Sequence, residues 1–201
     1  MSLEALKSVA AALERRGFAT QVYATGAEAA AFVLKVAESA QTIGMGGAET
    51  IKQIGVVEAL TAAGRTLVRQ TPCDLFLLSA NALTADGRIV NIDGFGNRVA
   101  ASIHGAGHVL YVIGRNKIVE GGVDEAIARI KRCACPPNCR RLGKKTPCAA
   151  TGICADCDSP DRIGEAESRT PPVCNVSGLW ALCRFRQAPP AQCSSHCRNP
   201  D

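Results

Sequence analysis

Up to about residue 135 the chain alternates apolar runs of strand length with segments whose apolar residues recur at helical spacing, and no other feature constrains its fold as much. Residues 2–16 read as an amphipathic helix, with Leu3, Leu6, Val9, Ala10 and Leu13 on one face. FATQVYA (18–24) reads as a strand, GAEAAAFVLKVAES (26–39) as a helix and QTIG (41–44) as a strand. The loop MGGA then opens a helix over 49–64 that closes on Gly64. RTLVRQ and DLFLLSA are apolar enough to be strands buried on both faces. TADGRIVNID carries the Asp-Gly turn of a hairpin, NRVAASIHG a short helix, HVLYVIG a strand and GVDEAIARIKRCA the last clear helix. Strands alternating with helices imply right-handed βαβ units. The expected fold is therefore α/β: a doubly wound, largely parallel sheet with helices on both faces.

Beyond Cys135 the periodicity stops. The segment 136–163 is rich in Gly, Pro and Cys, and 164–201 holds one short apolar run near Leu179–Leu182. The expected organisation is a core over 1–135, a Cys-rich irregular segment over 136–163 that packs on or extends it, and a divergent disordered tail over 164–201. No run of about 18 apolar residues is present, which argues against a bilayer span. The N-terminus lacks the basic start and apolar centre of a signal peptide, so a cytoplasmic location is expected. Charge is uneven: residues 1–130 carry 12 basic and 12 acidic side chains, and 131–201 carry 11 and 6. Without interleaved aromatics to stack on bases, the basic end reads as solvated chain and not as a nucleic-acid surface.

Several polar clusters fall where an apolar run stops. In an open α/β sheet these are the carboxyl ends of strands, where ligands bind. They are Gly44–Gly47, Ser79–Asn81, Asp93–Arg98 and Gly114–Lys117. Gly-rich turns that open helices offer free backbone N–H groups to phosphate or carboxylate. Candidate ligand-binding residues are Gly46, Gly47, Asn81, Gly94, Gly96, Asn97, Arg98, Asn116 and Lys117, with Arg98 and Lys117 supplying full charges. The expected ligand is a small anionic metabolite. Glu49 stands where the last Gly of a dinucleotide fingerprint belongs, and no GK[ST] follows either Gly-rich loop. Glu49 and Asp93 are weak candidates for a base or nucleophile; the ordinary alternatives are a helix-end charge and a turn residue. His104 and His108 precede the strand at 109–113, at the opposite end of the sheet, where a structural role is expected.

Ten of the 11 cysteines lie at or beyond Cys133. In a cytosolic chain such a cluster more often binds metal than forms disulfides. Cys148, Cys154 and Cys157 could hold zinc or an iron–sulfur cluster, although the spacing is not a standard ferredoxin run.

The run SANALTADGRIVNIDGFGNRVAA, continued by VIGRNKIV and RLGKKTPCAATGICADCDSPDRI, resembles the LUD-domain (lactate-utilisation) proteins, most of all the short members known as lactate utilisation protein C. The resemblance covers about residues 1–163 and implies a fold like sugar-phosphate isomerases and CoA transferases. The stretch from Asp74 is also similar, more distantly, to methylthioribose-1-phosphate isomerases and initiation factor 2B regulatory subunits; those isomerases carry an acidic residue where this chain has Asn81, and their substrate-phosphate region matches Gly94–Gly96. The family's further Cys after SPDRI is replaced by Gly164, and the text after Ile163 no longer resembles the family. Function implied by the resemblance is that of a small-anion-binding subunit in a system oxidising L-lactate to pyruvate with iron–sulfur partner proteins. Two other readings stand beside it: a stand-alone enzyme on a sugar phosphate or CoA ester, and a metal-binding redox or regulatory module.

Overall fold

Ser2 starts the first helix, its hydroxyl accepting from the Ala5 N–H at 3.2 Å to cap α1 (Leu3–Arg15). The computed structural model describes residues 1–69, 71–93 and 96–156, with the backbone of 175–177. A reciprocal capping box between Thr25 and Glu28 opens α2 (Gly26–Glu38), which leads to β1 (Ile43–Met45). The expected helix over 49–64 is two helices, α3 (Glu49–Gln53) and α4 (Val56–Ala62). Gly55 separates them at φ 77°, a left-handed conformation that breaks the helical ladder.

There follow β2 (Leu67–Val68) and β3 (Cys73–Leu78), then the hairpin of β4 (Ala82–Thr84) and β5 (Ile89–Asp93). The chain continues through α5 (Asn97–Ile103), β6 (Ala106–Tyr111), a 3-10 turn over Arg115–Lys117, β7 (Ile118–Val119) and α6 (Val123–Cys133). It ends in α7 (Cys135–Arg141), α8 (Pro147–Thr151) and β8 (Asn175–Ser177).

The α/β, mostly parallel architecture expected from the sequence is present, in two sheets and not one. The first has order β2-β1-β3-β6, all parallel. Leu75 and Leu77 of β3 face α2, α3 and α4 through Val33, Ala37, Ile51, Val56 and Leu60. The alternate residues Phe76 and Leu78 face α5 through Ala101. All four β3 side chains are at most 2% exposed, so each contributes roughly 1.5–3 kcal/mol of burial. The second sheet has order β7-β4-β5-β8: β4 runs antiparallel to β5, as the Asp-Gly turn predicts, and parallel to β7. Val9 and Leu13 of α1 pack on Leu83 and Ile89, while Ala126 and Ile130 of α6 pack with Ala82 and Val90.

Two further expectations need correction. Residues 18–24 form no strand. Their apolar side chains pack elsewhere: Phe18 lies edge-on to Tyr111 at 6.4 Å, and Tyr23 lies 5.6 Å from Phe32 of α2. Nor is the chain irregular after Cys135, since α7 and α8 form there. Pro136 and Pro147 sit in the first turns of these helices, where the missing N–H costs nothing. The remainder of the expected tail beyond 156 lies outside the described residues, apart from the β8 backbone.

Candidate functional site

Strands β3 and β5, helices α5 and α6 and the turn after β6 all bring polar groups to one place. Asn81, just past β3, links three of these elements. Its backbone N–H donates to Asn91 Oδ1 at 2.9 Å, and its own Oδ1 accepts from the Ile92 N–H at 3.0 Å. The same Oδ1 accepts from Arg98 Nη2 at 2.7 Å, and the Asn81 carbonyl accepts from Arg129 Nη1 at 2.6 Å. Asn91 is buried, so these bonds also satisfy polar atoms that would otherwise be costly to bury.

Three cations surround that hub. Arg98, 8% exposed, reaches the Ser79 carbonyl at 3.4 Å and the Ile92 carbonyl at 3.3 Å, and its Nε lies 3.5 Å from Asp93 Oδ1. Lys117 Nζ donates to Ser79 Oγ at 2.7 Å, and Ser79 Oγ in turn lies 3.4 Å from Thr50 Oγ1 of α3. Arg129 holds the Asn116 carbonyl with Nε at 3.0 Å and Nη2 at 2.7 Å. Burial, and then the guanidiniums of Arg129 and Arg98, push the Lys117 ammonium down to about 8. Among the described residues Asp93 is the carboxylate paired with this group; neither Lys117 nor Arg129 has one within ion-pair distance.

The residues singled out in the sequence fall into three sets. Asn81, Arg98 and Lys117 meet at the cluster. Gly46 lies against it, since a Cβ there would stand 2.8 Å from Arg98 Cγ. Asn116 contributes its carbonyl, while the residue as a whole is exposed. Gly96 adopts φ 74° at the start of α5 and Asn97 is exposed beside it. Gly47 is exposed on the loop into α3, and Glu49 is exposed at the first position of that helix. Asp93 accepts from the Val99 N–H at 2.9 Å, so its carboxylate occupies the first turn of α5 that the sequence reading offered to a bound anion. Gly94 lies outside the described residues. His104 and His108 are exposed at the end of α5 and in the first half of β6, away from the cluster.

Sequence reasoning missed Arg129, Asn91 and Thr50, and named Ser79 without assigning it a role. Arg129 had a faint signal: it lies on α6 between Ala126 and Ile130, which are buried against the second sheet. A long cation at the margin of an apolar face can reach over that sheet's end. Lys131 and Arg132 beside it look the same in sequence, and Lys131 instead pairs with Asp156.

Cys135 and Cys139 of α7, Cys148 of α8 and Cys154 just beyond it form a separate group. Burial pushes the Cys135 thiol up to about 12, helped by the neighbouring Cys154, Cys139 and Cys148. Cys139 is raised by burial and by Cys148 and Cys154, against a lowering hydrogen bond from Thr146. Thr146 Oγ1 also lies 3.3 Å from Cys148 Sγ. Burial and the mutual repulsion of closely spaced thiolates are what raise these two thiols. Of the sequence candidates, Cys148 and Cys154 belong to this group and Cys157 lies outside the described residues. Among the described residues no three His, Cys, Asp or Glu side chains converge to hold a metal ion.

Fold and cluster together define an α/β protein with a cationic site at the strand ends. The LUD-domain family model matches residues 6–172, and the chain belongs to that family, whose members are associated with lactate utilisation. No curated protein and no solved structure matches it significantly. No helix among the described residues is long and apolar enough to cross a membrane.

Proposed function

We propose that this protein is a lactate-utilisation subunit that binds a small carboxylate, L-lactate or its oxidation product pyruvate, in a cytoplasmic system whose electrons pass to iron–sulfur partner proteins. The observation behind this reading is the convergence of Lys117 and Arg129 without a carboxylate partner among the described residues, next to an Arg98 already compensated by Asp93. Two half-buried, uncompensated cations make a site that a monoanion neutralises, and a guanidinium edge can take a carboxylate in two hydrogen bonds. Arg129 keeps donors to spare, since three of its five N–H groups are engaged.

Calorimetric titration with L-lactate and pyruvate tests the reading, with phosphate and coenzyme A as comparisons. Saturable binding of either carboxylate that is lost in Arg129→Gln supports it. Preference for phosphate or coenzyme A would instead favour an enzyme acting on a sugar phosphate or CoA ester. Co-purification with iron–sulfur proteins tests the partner assignment. An iron–sulfur cluster or zinc on Cys148, Cys154 and Cys157 is a separate proposal, decided by metal analysis of protein purified without oxygen.

A further inference from the structure

Most lysines stand in water, charged, and often beside a carboxylate. Lys117 is half-buried, its Nζ bonded to the Ser79 hydroxyl, with Arg98 from α5 and Arg129 from α6 as its charged neighbours. Thr50 of α3 closes the chain of hydroxyls behind Ser79. Two adjacent guanidiniums strengthen the pull of a lysine site on an anion, but they also repel the lysine's own charged form. A lysine meant to react as a free amine gains from both, because the same guanidiniums hold the substrate's carboxylate while they favour the neutral nitrogen.

We propose that Lys117 forms a reversible imine with a short-chain 2-oxo carboxylic acid, whose carboxylate is held by Arg129 and whose carbonyl carbon faces Nζ. The Nζ lone pair attacks the carbonyl carbon, forming the C–N bond as the carbonyl electron pair moves to oxygen. Ser79, within hydrogen-bond distance of Nζ, passes a proton from nitrogen to that oxygen. A second proton transfer and cleavage of the C–O bond release one water and leave the C=N bond. No oxidant or reductant is consumed. The proposal rests on the carboxylate-site reading above and adds covalent capture to it.

With Lys117 titrating at about 8 and an ordinary lysine at 10.5, the neutral fraction near pH 7 is about 300-fold larger at Lys117. The experiment incubates the full chain with pyruvate and cyanoborohydride, then maps adducts by peptide mass spectrometry. Expected is one reduced pyruvyl adduct concentrated on Lys117, forming faster as the amine deprotonates between pH 7 and 9. It disappears in Lys117→Met, whose fold is checked by circular dichroism. In Arg129→Gln the pyruvate adduct falls while an adduct with uncharged acetaldehyde persists on Lys117. Pyruvyl adducts spread over the surface lysines, or none on Lys117, would overturn the proposal. Calorimetric pyruvate binding without an adduct overturns the imine and leaves the carboxylate site standing; absence of both removes both.

Discussion

Lys117 Nζ sits 2.7 Å from Ser79 Oγ and has no carboxylate within ion-pair distance among the described residues, so its charge is opposed by burial and by two guanidiniums. The sign of the resulting pH effect follows directly. Its folded-state value, about 8, lies below the unfolded value of 10.5, so folding disfavours the charged form. The penalty is fully present below pH 8 and is relieved as pH rises from about 8 to 10.5. Solvent screening of a half-buried group limits it to about 1–2 kcal/mol. Denaturant unfolding should therefore show this group adding stability between pH 8 and 10. Lys117→Met should be more stable than the parent at pH 7 by roughly 1 kcal/mol and should lose that pH dependence. A stability difference between parent and variant that stayed constant from pH 7 to 10 would contradict the assignment.

Arg129 joins two strand ends by grasping the carbonyls of Asn81 and Asn116. Arg129→Gln removes the charge and most of these bonds, exposing both carbonyls to partial loss of their donors. Carboxylate affinity should fall about 10- to 30-fold, the equivalent of about 1.4–2 kcal/mol. Thermal stability should fall by about 1 kcal/mol, as for one or two lost net hydrogen bonds. Affinity is read by titration and stability by unfolding. A stability loss with unchanged affinity would make Arg129 a strut with no part in binding.

How far the sequence reached depended on how local each signal was. Period and length identified β3, the Asp-Gly hairpin, α1, α2 and α6, because each is written in contiguous residues. Division of the strands between two sheets was not legible, since β4 pairs in parallel with β7, more than thirty residues on. Asn81, Arg98 and Lys117 were legible as polar residues at the ends of apolar runs. Arg129 was not, because its role depends on where α6 crosses the second sheet. Asp93 ends β5, and its carboxylate at once accepts from the Val99 N–H in the first turn of α5 and compensates Arg98. Segment 18–24 misled because its strand-like residues pack as single side chains, Phe18 on Tyr111 of β6 and Tyr23 on Phe32 of α2.

Gly87 joins the hairpin to α1. It adopts φ 83°, and a Cβ there would lie 2.7 Å from the Ala12 backbone carbonyl carbon. Gly87→Ala meets both obstacles, a left-handed backbone and an unyielding helix, and should destabilise by about 2–4 kcal/mol. Gly64 has a similar φ of 72° with nothing within 4 Å of its Cβ position, so Gly64→Ala should cost only about 1 kcal/mol. Chemical denaturation of the two variants separates contact from conformation. Equal losses would mean that α1 does not press on the turn.

Gly46 tests whether the cationic cluster needs Arg98 where it stands. A Cβ at Gly46 would lie 2.8 Å from Arg98 Cγ and 3.0 Å from Cδ, atoms near the root of the side chain that cannot yield without moving the guanidinium. Arg98 would then lose its bonds to Ser79, Asn81 and Ile92 together with its approach to Asp93. Gly46→Ala should cost about 1–3 kcal/mol in stability, as overpacking does, and lower carboxylate affinity as well. Gly47→Ala is the matched control, because its nearest atom is Arg141 Nη2 at 4.0 Å, the mobile end of an exposed side chain. That change should stay within about 0.5 kcal/mol and leave binding intact. If both variants bound carboxylate as the parent does, the site would not depend on Arg98, and Lys117 with Arg129 would have to hold the anion alone.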